Sequence, residues 1–283
     1  MTKKTVFIMP NLTKPNTADL MKLIVAKLLE CGCSPAMDAR YAGEFEGVEY
    51  HPFELLMSVC DAVVTVGGDG TILHSAKHAM EYGKPLLGVN TGRLGYLAQI
   101  EPNEIALLSR LANENYDIEN RMLLETDIDG LSEKYYALND VVIAKGDLAR
   151  LVDLDLSGDG KSIGSYRADG LILSTPTGST AYSLSAGGPI VHPTIDTIIL
   201  TPICPHSLND RSVLLPPHMQ LEVRSQLINN SDNIVVSVDG DRIAGLDNQR
   251  AVRIRRSDKT VKFISFAEKS FNTILSQKLK SKA

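Results

Sequence analysis

Apolar positions in the first third of the chain follow two alternating rhythms. Short, β-branched runs at Thr5 to Met9, Asp61 to Val66 and Pro85 to Val89 predict buried strands. Between them, Leu20, Leu23, Ile24, Leu28 and Cys31 recur at helical spacing before Gly32 supplies a stop. Pro52 opens a short helix through Val59, and Thr71 to Tyr82 and Pro102 to Ala112 read as further helices. Alternation of this kind implies parallel strands with helices packed on the sheet.

From about Tyr116 the rhythm changes. Lys134 to Lys145, Arg150 to Leu156, Gly170 to Ser174, Thr197 to Ile203, Gln220 to Arg224, Ile234 to Val238, Ala251 to Arg255 and Thr260 to Phe266 all read as strands. The alternating Leu151 to Leu156 leads into Ser157-Gly158-Asp159-Gly160, a tight-turn signal. Helical spacing returns only in Glu268 to Lys282, with Phe271, Ile274, Leu275 and Leu279 on one stripe. The pattern predicts an α/β, Rossmann-like domain with a parallel sheet over 1–115 and a β-rich, sandwich-like domain over 116–266. The last helix, 267–283, is expected to pack back on the first domain.

Composition narrows the function. The 283 residues carry a formal net charge of -5, which argues against a protein that replaces the counterions of DNA or RNA. No run reaches the 18 or so apolar residues of a membrane span, and the Val6–Met9 run is cut off by Pro10, too early for a secretory signal. Cys31, Cys33, Cys60 and Cys204 make no metal-type double pair. Reduced structural thiols and a cytoplasmic location are the expectation.

The chemistry centres on Gly67-Gly68-Asp69-Gly70-Thr71, which lies between a strand and a helix. Glycines let phosphate oxygens approach the backbone amides, and a helix N-terminus favours negative charge. Asp69 is out of place in an anion site unless it binds a cation or takes a proton from an attacking hydroxyl. The plainer alternative is that it caps the following helix. The turn is not of the Walker type, because no Lys-Ser or Lys-Thr follows, and its spacing is not that of a dinucleotide fingerprint.

A second segment runs from Arg167-Ala168-Asp169-Gly170 through Ser174 into Thr175-Pro176-Thr177-Gly178-Ser179-Thr180-Ala181-Tyr182-Ser183-Leu184-Ser185-Ala186-Gly187-Gly188-Pro189. Its hydroxyls, amides and single aromatic could recognise a base or ribose, or could form an ordinary turn. His74 and His78 stand four apart as zinc-protease ligands do, but Ser75 replaces the glutamate of that motif. Arg150 and Arg167 carry guanidinium forks suited to phosphate, although a solvated or salt-bridged arginine is the commoner case.

The Gly67–Thr71 turn matches, residue for residue, that of a superfamily containing NAD kinases, diacylglycerol and sphingosine kinases and relatives of phosphofructokinase. The stretch from Arg167 to Pro189 resembles the long signature of NAD kinases in particular. Asn90-Thr91-Gly92-Arg93-Leu94-Gly95-Tyr96-Leu97 and Asn139-Asp140 resemble two further family segments. Departures are Tyr96 where many members have Phe, Asp140 where many have Glu, and Asp241 where Gln is common.

The resemblance implies transfer of a phosphoryl group from ATP, or in some members polyphosphate, to the 2'-hydroxyl of the adenosine ribose of NAD, with Mg2+ on the phosphates. It makes Asp69 the base, with Gly67, Gly68 and Thr71 completing the phosphate turn. It places NAD against Asp69, Gly70, His74, Asn139, Asp140, Arg150, Arg167, Asp169, Thr180, Ala181, Tyr182, Ser183, Leu184, Ser185 and Asp241, and leaves the metal ligands unassigned. It also implies a homo-oligomer, dimer or tetramer, that completes the NAD site across subunits. Two other classes keep the turn: a kinase acting on a lipid or sugar phosphate, and a non-catalytic dinucleotide sensor.

Overall fold

The computed structural model describes residues 3–92, 95–146, 150–226, 234–247, 250–267 and 270–280. Arg93 and Leu94 of the Asn90–Leu97 segment lie outside the described residues, as do Glu268 and Lys282 at the limits of the expected final helix. The chain divides into two compact units, one formed by 1–120 with 261–283 and the other by 121–260.

Unit 1 opens with β1 (Thr5–Pro10), α1 (Thr17–Glu30), β2 (Ser34–Asp38), β3 (Glu49–His51), α2 (Phe53–Val59), β4 (Ala62–Gly67), α3 (Asp69–Glu81) and β5 (Leu86–Asn90). These five strands pair in parallel in the order β3-β2-β1-β4-β5. The interior strand β4 is buried at every position, as expected for a parallel strand covered on both faces. α1 ends as Gly32 takes a φ of 80° and the amides of Gly32 and Cys33 return to Leu29 and Leu28, which satisfies the final carbonyls. Met21, Ile24 and Leu28 of α1 pack with Ile8, Val64 and Leu87 of the sheet in one core. The expected helix over 102–112 is instead a 3-10 segment, Pro102–Leu108, followed by one α-turn, α4 (Ser109–Ala112).

Unit 2 contains β6 (Asp117–Ile128, entering from unit 1), β7 (Tyr135–Ala137), β8 (Asp140–Lys145), β9 (Val152–Gly158), β10 (Lys161–Ala168), β11 (Gly170–Ser174), the helical turn α5 (Tyr182–Ser185), β12 (Ile198–Ile203), β13 (Val213–Leu215), β14 (Leu221–Ser225), β15 (Ile234–Val238) and β16 (Asp241–Leu246). β17 (Ala251–Ser265) begins in unit 2 and ends in unit 1, where Phe263 pairs with Leu86, and α6 (Phe271–Lys280) follows in unit 1 with Ile274 buried. One antiparallel sheet runs β13-β12-β11-β8-β15-β16; the other strands pair as β10-β9-β14-β17, with β6 joining β17 and β7. Alternate side chains of both sheets, Leu154, Val223 and Ile254 from one and Ile143, Leu171 and Val236 from the other, share a sandwich core.

Three expected strands are redrawn. Lys134–Lys145 is interrupted at Leu138 and Asn139, for a reason given below, and Ala251–Arg255 and Thr260–Phe266 are halves of β17. The tight turn after β9 is present, with Asp159 and Gly160 both at positive φ, as a two-residue hairpin loop requires.

Candidate active site

β4 delivers the chain to Gly67, Gly68 is extended, and α3 begins at Asp69. No side-chain cap bond is made at this helix start, so the capping reading of Asp69 is not what the structure adopts. Its carboxylate reaches instead across to the segment after β5: Tyr96 N–H donates to Oδ2 at 2.8 Å and Leu97 N–H to Oδ1 at 3.1 Å. Gly95 permits this approach, because a Cβ there would lie 2.1 Å from Asp69 Oδ1. Gly67 is needed in the same way, since its Cβ would lie 2.5 Å from Thr71 Cβ and Oγ1.

Thr71 Oγ1 is in turn held by Asn11 Nδ2 at 3.1 Å, which ties the end of β1 to the turn. A cavity of about 550 Å³ opens over Asp69, lined by Lys14, Gly68, Asn90 and Gly95 among others. Each carboxylate oxygen keeps a second acceptor direction. At the start of α3 the Thr71 and Ile72 amides donate to Gly68 O at 2.9 and 3.1 Å, while the Asp69 and Gly70 amides have no carbonyl inside the helix to bond. The arrangement joins a positioned proton acceptor to an anion-binding helix end.

The second centre is built in unit 2 around Asp239. Asp239 and Gly240, at φ 51° and 87°, form the hairpin turn between β15 and β16. The Asp239 carboxylate accepts the N–H groups of Leu138 (2.9 Å), Asn139 (2.8 Å) and Asp140 (3.1 Å). This capture takes those amides out of the sheet ladder and separates β7 from β8. Thr175 N–H donates to Asn139 O at 2.9 Å. Thr175 Oγ1 donates to Leu138 O and accepts Gly178 N–H at 3.0 Å. Gly178 is required, since its Cβ would lie 2.0 Å from Asn139 O. Asn139-Asp140 and the Thr175–Ser185 signature, separate in sequence, are thereby one corner.

Asp140 is 5% exposed, and its carboxyl has no hydrogen-bond or ion-pair partner among the described residues. Burial first, and then the Asp239 carboxylate beside it, push it up to about 7. A buried carboxyl without a partner is poised to take a polar ligand group.

The other sequence candidates fall into three sets. Tyr182 is 46% exposed on α5, and Thr180, Ala181 and Leu184 are half-buried. Ser185 and Asp241 are exposed, whereas Ser183 is buried with its hydroxyl 2.9 Å from Thr201 Oγ1. Asp169 sits at the other end of the β8–β11 pair from Asp140, where it forms an ion pair with Lys145 at 2.5 Å. Five residues of strand separate the two ends, about 17 Å. Arg167 is 67% exposed with Asp153 at 4.0 Å, and Arg150 is exposed. In unit 1, Gly70 and His74 line a second cavity beside that of Asp69, and His74 stacks edge-on against His78. Among the described residues no group of three His, Cys, Asp or Glu could hold a metal ion, and no helix is long and apolar enough to cross a membrane.

Family models for the ATP-NAD kinase N-terminal domain and C-terminal domain match residues 8–116 and 138–266. The NAD kinase of Thermoanaerobacter pseudethanolicus is 35% identical over 281 residues, covering 98% of this chain and 99% of the relative. The chain belongs to the NAD kinase family.

The NAD kinase of Heliobacterium modesticaldum is 42% identical over 223 residues, covering 77% of this chain and 78% of the relative. The fold matches yeast NADH kinase complexed with NADH, with a TM-score of 0.87 at 26% identity over 99% of this chain and 88% of that one. It also matches an NAD kinase from Archaeoglobus fulgidus in complex with ATP, with a TM-score of 0.71 at 26% identity over 96% and 97% of the two chains. As a member of the NAD kinase family the chain is a phosphotransferase that uses ATP. The roles of Gly95, Asp239 and Lys145 were not read from the sequence, although Gly95 and Asp239 lie in segments that resemble the family's. Only Asp239 carried a local signal, the Asp-Gly hairpin dipeptide.

Proposed function

We propose that the chain phosphorylates the 2'-hydroxyl of the adenosine ribose of NAD, with Asp69 as general base. The observation that carries this reading is the Asp69 carboxylate, held by the Tyr96 and Leu97 amides over an open cavity and released from any capping role. In the step, the ribose oxygen forms a bond to the terminal phosphorus of ATP while the bond from that phosphorus to the bridging oxygen breaks. The hydroxyl proton passes to Asp69, and ADP leaves. The backbone amides of Gly68, Asp69 and Gly70 stabilise the charge on the transferred group.

Mg2+ would arrive on the donor phosphates, where it neutralises charge. Polyphosphate is the alternative donor, and NADH a second acceptor. Asn139 and Asp140 receive ribose or base, with Tyr182 offering a ring face and Thr180 to Ser185 its polar edge; Asp169, Arg150, Arg167 and Asp241 complete the proposed NAD contacts. A dimer or tetramer is the proposed working state.

The test is direct. Purified protein with NAD, ATP and Mg2+ is expected to yield NADP, read with an NADP-specific dehydrogenase. NAD binding without turnover would instead make the chain a sensor.

A further inference from the structure

Two buried polar side chains of unit 2 stand side by side without a hydrogen bond. Ser174, the last residue of β11, is the register partner of Asp140, the first residue of β8. The next pair along is bonded, Thr175 N–H to Asn139 O, so Ser174 and Asp140 form a non-hydrogen-bonded pair. In such a pair the side chains share one face, with Cβ atoms about 4.5–5.5 Å apart. On its other edge Ser174 is paired with Ile199, and Ile172 precedes it on the same face. Of these three neighbours only Asp140 is polar. Ser174 is 0% exposed and its Oγ makes no hydrogen bond among the described residues, whereas Asp140 keeps an opening of 5%. A ligand can therefore touch Asp140 but not Ser174. Across the other edge of β8, the ionisable group facing Asp140 is Asp239, whose carboxylate holds three amides.

A buried hydroxyl left unbonded costs stability, and alanine would occupy this strand position without that cost. The hydroxyl gains a use when Asp140 ionises. We propose that Ser174 is a positioning residue, donating its hydroxyl to the Asp140 carboxylate and so aiming that carboxylate at the bound dinucleotide. Rotation of the two side chains is enough to bring serine oxygen and carboxylate into hydrogen-bond range on a pair of this spacing. An ionised carboxylate has about four acceptor positions. Ser174 fills one from inside the sheet, and the others stay open to ligand hydroxyls. The donation favours the charged form, which burial and the Asp239 carboxylate both disfavour. The purpose of this contact rests on the proposed role of Asp140 toward NAD, but the contact itself is measured without NAD.

The infrared band of the protonated Asp140 carboxyl, assigned by its loss in Asp140→Asn, is titrated from pH 5 to 9 in the ligand-free full chain, in Ser174→Ala and in Ser174→Thr. Removing a hydrogen bond to the charged form is expected to raise the midpoint by about one unit in Ser174→Ala. Ser174→Thr, which keeps the hydroxyl, restores it. In parallel kinetics at neutral pH the KM for NAD rises about tenfold in Ser174→Ala, with kcat within about twofold of wild type. The thermal midpoint of Ser174→Ala equals or exceeds that of wild type, which a packing role would not give. In the Asp140→Asn background, Ser174→Ala leaves the KM for NAD as it is. An unmoved infrared midpoint overturns the assignment, and so does an equal KM effect in the Asp140→Asn background. In a chain that makes NADP, a moved midpoint with an unchanged KM for NAD overturns the positioning role. A midpoint that moves in a chain making no NADP would leave the Ser174–Asp140 contact standing while the proposed reaction fell.

Discussion

Two carboxylates, one in each unit, sit in opposite surroundings. Asp69 of unit 1 is half-buried and is oriented by two amides, with a cavity in front of it. Asp140 of unit 2 is buried without a side-chain partner, and the neighbouring Asp239 takes the amides that might have served it. A proton acceptor in phosphoryl transfer must be fixed in direction, which backbone donors on a rigid segment accomplish. A recognition carboxyl gains more from being left unsatisfied, since a ligand hydroxyl then relieves a desolvation cost the fold has already borne.

The contrast is most severely tested by Asp69→Asn. Turnover is expected to fall on the order of 10^2 to 10^4-fold, with NAD affinity by direct titration nearly unchanged; near-normal turnover removes Asp69 from the chemistry. Gly95→Ala comes next. The new Cβ would lie 2.1 Å from Asp69 Oδ1 and must drive the carboxylate from the Tyr96 and Leu97 amides. A misplacement of this size is expected to lower kcat about 10^2-fold, while the thermal midpoint moves little. A wild-type kcat in Gly95→Ala would show that the amide clamp is not what positions the base.

In unit 2 the corresponding change is Gly178→Ala, which sets a Cβ 2.0 Å from the Asn139 carbonyl oxygen. Backbone must move against backbone, so a destabilisation of about 1–3 kcal/mol by urea unfolding is expected, with a raised KM for NAD and kcat little altered. A loss confined to kcat would contradict a recognition role for this corner.

The smallest effect is in the pH dependence of Asp140. Its pKa of about 7 means that the carboxylate, the form that accepts from a ribose diol, is lost as pH falls through 7. The kcat/KM for NAD should decline over that range, and Asp140→Asn should flatten the profile. Stability runs the other way. The folded-state pKa lies above the unfolded value of about 3.9, so the stabilisation from protonated Asp140 is complete below the unfolded pKa and is lost as pH rises through about 7. A urea series from pH 4 to 8 on wild type and Asp140→Asn separates this slope from that of the other carboxyls.

Strands buried on both faces, such as β4 and β11, were legible because a continuous apolar run has few alternatives. β2 was hidden by its opening Ser34-Pro35, and the exposed edge strand β10 by a polar surface that gives no alternation. β6, with Glu119, Arg121, Glu125 and Asp127 among its apolar residues, reads as neither rhythm. Asp69 was legible because a carboxylate among glycines is an anomaly within a single turn. Gly95 and Asp239 were not, because their roles exist only across folds of the chain: Asp239 meets its three amides about 100 residues away. The basic stretch Arg253, Arg255 and Arg256 is paired with Asp129, Glu125 and Asp196 on a strand bonded on both sides, with the arginine side chains still about half exposed.

β17 starts in one unit and ends in the other, and this has a consequence for synthesis. A nascent chain that has emerged as far as Thr260 contains the whole of unit 2 but lacks the segment that lies beside β5 through the Phe263–Leu86 pair. The amino-terminal sheet, though translated first, must wait with that flank unpaired until the segment beyond Thr260 leaves the ribosome, so the sandwich between them has the earlier opportunity to fold. Deleting residues beyond Thr260 should therefore yield an amino-terminal region prone to self-association around a competent β-sandwich.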